Sequence, residues 1–203
     1  MTTGADDWAG DVRALLATDL VTPATRRALL ERLSAPRVDT GRFFDAATLL
    51  TLQAVCARLL PQPERADPID LAGCIDARLA DGKGDGWRYD VLPADSEAYR
   101  LGLRELDRHA QAMGGAPFHA LQSAEQDRVL VDFQRGDVPS WTGEAARRFF
   151  EELLAEATES YYSHPLAQQE IGYAGMADAP GWQLIGLDQR EAREPPRSGA
   201  SDA

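Results

Sequence analysis

The residues whose types could do chemistry are three histidines, two cysteines and one glycine-rich acidic loop. A catalytic histidine needs a nucleophile or an acid within hydrogen-bond reach, and no such partner stands at short spacing from His109, His119 or His164. His109, inside Asp107-Arg108-His109, reads as a solvated position on a helix surface. His119 follows Phe118 in a loop and reads as a capping or packing residue. Cys56 and Cys74 have neither close metal-ligand spacing nor a CxxC pattern. Each falls on the apolar side of an expected helix and reads as a small buried hydrophobe, with a disulfide between them left open for an oxidising compartment. The run Asp81-Gly82-Lys83-Gly84-Asp85-Gly86 resembles the opening of an EF-hand loop. However, Lys83 stands at a ligand position and Leu92 where the bidentate glutamate belongs, so the run reads as a solvated turn. GxSxG, HExxH, P-loop and dinucleotide GxGxxG patterns are missing, and the glycine-rich loop follows a helical pattern rather than a strand. The expectation is a chain that is not an enzyme by itself and binds no flavin, haem or metal.

His164 alone lies in unusual surroundings. The stretch from Tyr161 to Met176 holds three of the five tyrosines, is poor in charge, and continues to Trp182. His164 precedes a proline and should be extended, and Gly172 and Gly175 allow free turns. The sequence therefore predicts a helix ending near Ser160, followed by an irregular aromatic segment. Tyrosine and tryptophan join apolar area to a polar tip that needs a partner. Such a segment either packs on its own helices or offers its rings to another molecule. Tyr161, Tyr162, His164, Pro165, Ile171, Tyr173, Met176 and Trp182 are the candidate partner-binding residues.

The elements that must hold this segment are helical. Trp8, Val12, Leu15 and Leu16 keep helical spacing, and Thr22-Pro23 opens a second helix whose Leu29, Leu30 and Leu33 face one way. Residues 1–38 read as an appendage that docks on the core through those leucines. Asp45 caps the expected central helix, with Leu49, Leu52, Val55, Cys56, Leu59 and Leu60 as its stripe and Pro61 as its stop. Asp67-Pro68 opens the next helix, which breaks at Asp81, and Trp87 and Tyr89 then cover an edge of the bundle. Asp95 caps a long helix ended by Gly114-Gly115. Ser123-Ala124-Glu125-Gln126 is a capping box, and the last helix runs over about 142–160. No stretch alternates with the two-residue period of a strand. The expected fold is all-α: a single-domain irregular bundle of about six to seven helices over 39–188, with the helical appendage at 1–38 and a disordered polar tail at 189–203.

A net charge of -12 and no basic cluster argue against nucleic acid. No apolar run approaches the roughly 20 residues of a membrane span. Acidic residues at the start of the chain do not suit a signal peptide, so the expected location is cytoplasmic, or periplasmic if the chain is exported together with a partner.

Taken together, Leu52-Gln53-Ala54-Val55-Cys56-Ala57-Arg58-Leu59-Leu60-Pro61, the helix Tyr99 to Asp107, Phe118-His119-Ala120-Leu121 before the capping box, Tyr161-Tyr162-Ser163-His164-Pro165, and Ile171-Gly172-Tyr173-Ala174-Gly175 resemble the gluconate 2-dehydrogenase subunit 3 family, over roughly residues 44–182. The resemblance implies a small bacterial, non-catalytic subunit. Its partner would be a large FAD-dependent sugar or polyol dehydrogenase of the glucose-methanol-choline type, accompanied in some members by a cytochrome c. The small subunit would serve the maturation, stability or export of the large one in a chaperone-like way. The chain departs from the family pattern in lacking a twin-arginine leader and in having Ala57-Arg58 where many members place an acidic residue. Two other readings stand beside this one: a self-sufficient helical small-ligand binder or enzyme using a pocket around His164, Tyr162 and Tyr173, and an acidic regulatory adaptor with an unrelated partner.

Overall fold

The computed structural model describes residues 11–84, 90–173, 175–181, 184 and 186–189. Among the described residues there are eight α-helices and no strand, as the periodicity predicts. The chain forms two compact units, one of residues 37–161 and one that joins the segment before Arg37 to the segment from Tyr162 onward.

The 37–161 unit contains α3 (Ala46–Leu59), α4 (Leu71–Ala80), α5 (Asp95–Gly114), a 3-10 turn (Phe118–Ala120), α6 (Ser123–Arg135) and nearly all of α7 (Gly143–Tyr162). The α3 helix touches α4, α5, α6 and the 3-10 turn, which makes it the centre of the unit. Leu52, Val55, Ile75, Leu103, Leu106, Phe118, Phe133, Phe149 and Leu153 are fully buried around it. Asp45 caps α3 by accepting from the Thr48 N–H at 2.8 Å. Gly115 and Gly136 end α5 and α6 with φ of 71° and 79°, left-handed values that glycine adopts without a Cβ clash.

Buried and half-buried carboxylates tie the helices together. Asp76 is wholly buried and accepts from three consecutive backbone N–H groups: Arg42 at 2.7 Å, Phe43 at 3.1 Å and Phe44 at 2.9 Å. Asp107 accepts from the buried Thr51 hydroxyl at 3.0 Å and from the Phe118 N–H at 2.9 Å, joining α3, α5 and the 3-10 turn. Arg78 grips Glu156 with two guanidinium nitrogens and reaches Asp95 at 3.0 Å, while the buried Tyr99 hydroxyl donates to the same Glu156.

Several expectations are corrected here. The α4 helix starts at Leu71, not at Pro68, because Asp70 is its cap, accepting from Gly73 N–H at 3.0 Å and from Val38 N–H at 2.8 Å. Asp95 lies in the first turn of α5 rather than at its cap, since its carboxylate is drawn to Arg78. The reciprocal cap of α6 sits one residue earlier than read, with Glu125 accepting from Gln122 N–H at 3.0 Å. His109 is not solvated: it is buried, its Nε2 lies 2.9 Å from Asp132, and its ring meets Phe133 edge-on. Cys56 is buried as expected but Cys74 is exposed.

The other unit contains α1 (Val12–Leu16), α2 (Pro23–Ser34) and α8 (Pro165–Glu170), with α8 in contact with both of the others. Its core is Val12, Leu15, Leu16, Val21 and Leu29 closed by Met176 and Ala177, with Leu33 and Leu166 partly buried against it. Leu29 and Leu33 thus face inward as read, but Leu30 is exposed. Trp8, the EF-hand-like residues Asp85 and Gly86, the edge cover read for Trp87 and Tyr89, and the tail from residue 190 onward lie outside the described residues.

Candidate partner-binding site

The aromatic stretch is more regular than its sequence suggests. The α7 helix continues through Tyr162 rather than stopping at Ser160, and the segment read as irregular contains α8. His164 is extended, as expected of a residue before proline, with φ of -84° and ψ of 133°. Those angles also suit an N-cap, and Pro165 then occupies the first helical position, where its missing N–H costs nothing.

The His164 ring completes this start. Its Nδ1 accepts from the Leu166 N–H at 3.3 Å, and its Nε2 lies 3.2 Å from the Arg32 carbonyl. The tautomer with hydrogen on Nε2 satisfies both, accepting at one nitrogen and donating at the other. Both ring nitrogens are therefore engaged by backbone. The Arg32 guanidinium returns the contact by donating to the Ser163 carbonyl at 2.8 Å.

Two further side chains from this region hold the N-terminal helices. Gln169 Oε1 accepts from Val12 N–H at 2.8 Å, satisfying an amide that the first turn of α1 leaves open. Asp178 accepts from the Thr22 N–H at 2.7 Å, the Thr22 hydroxyl at 2.8 Å and the Thr25 hydroxyl at 2.6 Å. The hydrogen bond from the Thr22 backbone, followed by those from the hydroxyls, lowers the Asp178 pKa to about 2.

The candidate residues divide by burial. Pro165 and Met176 are covered by this chain's own side chains, and Met176 belongs to the core of its unit. Tyr162, Ile171 and Tyr173 are 43%, 55% and 48% exposed. Tyr173 folds back so that its hydroxyl lies where a Cβ on Gly175 would stand, 2.2 Å from that position, which explains a glycine there. Tyr161 belongs to the 37–161 unit, where the Arg65 guanidinium lies over its ring at 5.9 Å. Trp182 lies outside the described residues.

Sequence reading missed the buried polar pairs because their partners are far apart in the chain, as Arg78 and Glu156 are. A signal did exist for His109, which follows Leu103 and Leu106 at three-residue steps and so shares the inward face of α5. Among the described residues no group of three or more His, Cys, Asp or Glu side chains is placed to hold a metal ion, and no helix is long and apolar enough to cross a membrane.

The chain matches the family model of gluconate 2-dehydrogenase subunit 3 over residues 46–186. It belongs to that family. No curated protein and no solved structure matches it. The family match encloses the central helix α3, the long helix α5 and the aromatic stretch, three of the places where the resemblance was read. The family takes its name from a subunit of gluconate 2-dehydrogenase.

Proposed function

We propose that this chain is a non-catalytic accessory subunit that binds a large FAD-dependent sugar or polyol dehydrogenase of the glucose-methanol-choline type and stabilises or matures it. The observation that carries this reading is the family match over residues 46–186. The exposed set Tyr162, Ile171 and Tyr173 gives the contact a physical basis, since aromatic side chains with a polar tip are favoured at protein interfaces. FAD and the hydride chemistry belong to the large subunit in this reading, and a cytochrome c takes the electrons in some assemblies. The alternative of a ligand pocket worked by His164 loses ground because both of its ring nitrogens are held by backbone groups.

The test is co-expression of this chain with a large flavoprotein of that type from the same organism. Soluble yield, FAD per large subunit and dye-linked dehydrogenase activity are expected to rise together. Equal yield, flavin loading and turnover without this chain would overturn the proposal.

A further inference from the structure

The two hydrogen bonds of His164 hold together in one protonation state. Its Nδ1 accepts from the Leu166 N–H at 3.3 Å, and its Nε2 donates to the Arg32 carbonyl at 3.2 Å. A ring that gains a proton carries hydrogen on both nitrogens. Nδ1–H would then face the Leu166 N–H, donor against donor, and the cap of α8 would be lost. The bond to the Arg32 carbonyl survives, because Nε2 is a donor in both forms. Protonation therefore leaves the ring tethered to α2 while it lets go of α8.

The charges around the ring oppose the extra proton. From α2, the Arg32 guanidinium donates to the carbonyl of Ser163, the residue next to His164. Glu31 and Arg27 line the outer groove of that helix beside Leu30. From α1, Asp11 accepts from the Arg13 N–H, and the bond between α1 and α8 runs through the neutral Gln169. Within α8 the one charged side chain is Glu170, at the end away from His164. The N-terminus that His164 caps is also the positive end of the helix dipole. His164 is half-buried, so protons from solvent reach it. The cap is complete above the ordinary titration point of an imidazole, about pH 6.5, and is lost as the pH falls below it.

The other clasp of this unit stays shut over the same range. Asp178 titrates at about 2, so it remains charged and keeps its bonds from Thr22 and Thr25. An acid step in the imidazole range is thereby confined to α8, with the start of α2 still fixed. The consequence lies in what flanks α8: Tyr162 stands two residues before His164, and Ile171 and Tyr173 follow the last turn, all three exposed. We infer that His164 is a proton-operated latch on this contact face. Neutral, it caps α8 and sets the exposed side chains for the partner; protonated, it releases the first turn of α8 and weakens the partner's hold. This inference rests on the accessory-subunit reading and adds regulation to the same site.

The experiment compares the full-length wild-type chain with His164→Asn on either side of the imidazole range, at about pH 7.5 and about pH 5.5. Asparagine caps a helix and does not titrate. Hydrogen exchange at the Leu166 amide, corrected for the intrinsic effect of pH, should speed up about fivefold on acidification in wild type, the weight of one helix cap, and stay level in the variant. Affinity for the large flavoprotein should fall by about the same factor in wild type relative to the variant. Nitrogen chemical shifts of the wild-type ring at the higher pH should show hydrogen on Nε2 and a lone pair on Nδ1. Hydrogen on Nδ1 at that pH would overturn the latch without any variant. Identical exchange profiles in wild type and His164→Asn would overturn it and leave the accessory reading standing, as would a partner affinity whose pH dependence is the same in both. A wild-type chain that binds the flavoprotein at neither pH would remove both readings.

Discussion

Asp178 accepts hydrogen bonds from both the backbone and the side chain of Thr22, a residue 156 positions earlier in the chain. Thr22 is also the N-cap of α2, so one carboxylate fixes the start of that helix and the strand of backbone that carries Met176. Asp178→Ala should destabilise this unit by about 2 kcal/mol, since hydrogen bonds to a charged acceptor are worth more than neutral ones and the Thr22 amide loses its partner. Hydrogen exchange of the α1 and α2 amides in wild type and variant measures this directly.

The same carboxylate predicts a pH dependence. Its pKa falls from 3.8 to about 2 on folding, so the folded chain binds its proton less readily than the unfolded chain. The stabilisation is therefore full above the unfolded value of about 4 and is lost as the pH falls toward the folded value of about 2. The stability difference between wild type and Asp178→Ala should be flat near neutrality and shrink across that acid window. A difference that stays constant down to the folded value would refute the assignment.

His164 is expected to be a capping residue. His164→Ala should cost about 1 kcal/mol by uncapping α8, and His164→Asn should recover most of it because asparagine is a good N-cap. Flavin content and turnover of the assembled complex should be unchanged in His164→Asn. A large loss of activity in that variant at normal stability would reinstate a chemical role for the ring.

Burial separates the aromatic stretch into two predicted phenotypes. Tyr162→Ala, Ile171→Ala and Tyr173→Ala should leave the melting temperature of the isolated chain nearly unchanged. A well-buried anchor among them should lower partner affinity by about 2 kcal/mol, roughly thirtyfold. Met176→Ala should do the reverse and cost about 2 to 5 kcal/mol of stability, as removal of a buried methionine side chain commonly does. Thermal melts and binding isotherms on the same four variants check both halves.

Gly102 sets two effects against each other. It lies inside α5, where replacing glycine by alanine ordinarily gains about 1 kcal/mol of helix propensity. A Cβ there would stand 2.3 Å from the Phe149 ring, which is already packed against Tyr99, Phe133 and Trp141. Overpacking of about 1 to 3 kcal/mol should win, because any shift of the ring disturbs its contacts with Tyr99, Phe133 and Trp141. Gly102→Ala is expected to lower the melting temperature.

Much of the fold was legible because it depends on local spacing. The Asp45 cap, the stripe Leu49, Leu52, Val55 and Cys56, the Thr22-Pro23 start and the Gly115 stop are all set by residues within a few turns of each other. Two of the readings that failed involve a competitor distant in sequence. Asp95 is the best local cap for α5, yet Arg78 takes its carboxylate. His109 looks solvated beside charged neighbours, yet Asp132 from α6 supplies the partner that makes burial affordable. In the candidate site, the aromatic content could be read directly, whereas the split between buried Met176 and exposed Tyr173 depends on the packing of α1 and α2.

The family match begins at residue 46, but the segment 163–178 inside it is held by residues that precede that point. Val12 gives its amide to Gln169, Arg32 grips Ser163, Thr22 and Thr25 saturate Asp178, and Leu15, Leu16 and Leu29 cover Met176. The boundary of sequence similarity is therefore not a folding boundary. A chain trimmed to residue 46 would keep every residue that identifies it and present a raw apolar face, with Asp178 and Gln169 stripped of their donors. Such a fragment should aggregate or seek foreign helices, so any study of partner binding has to start from the whole chain.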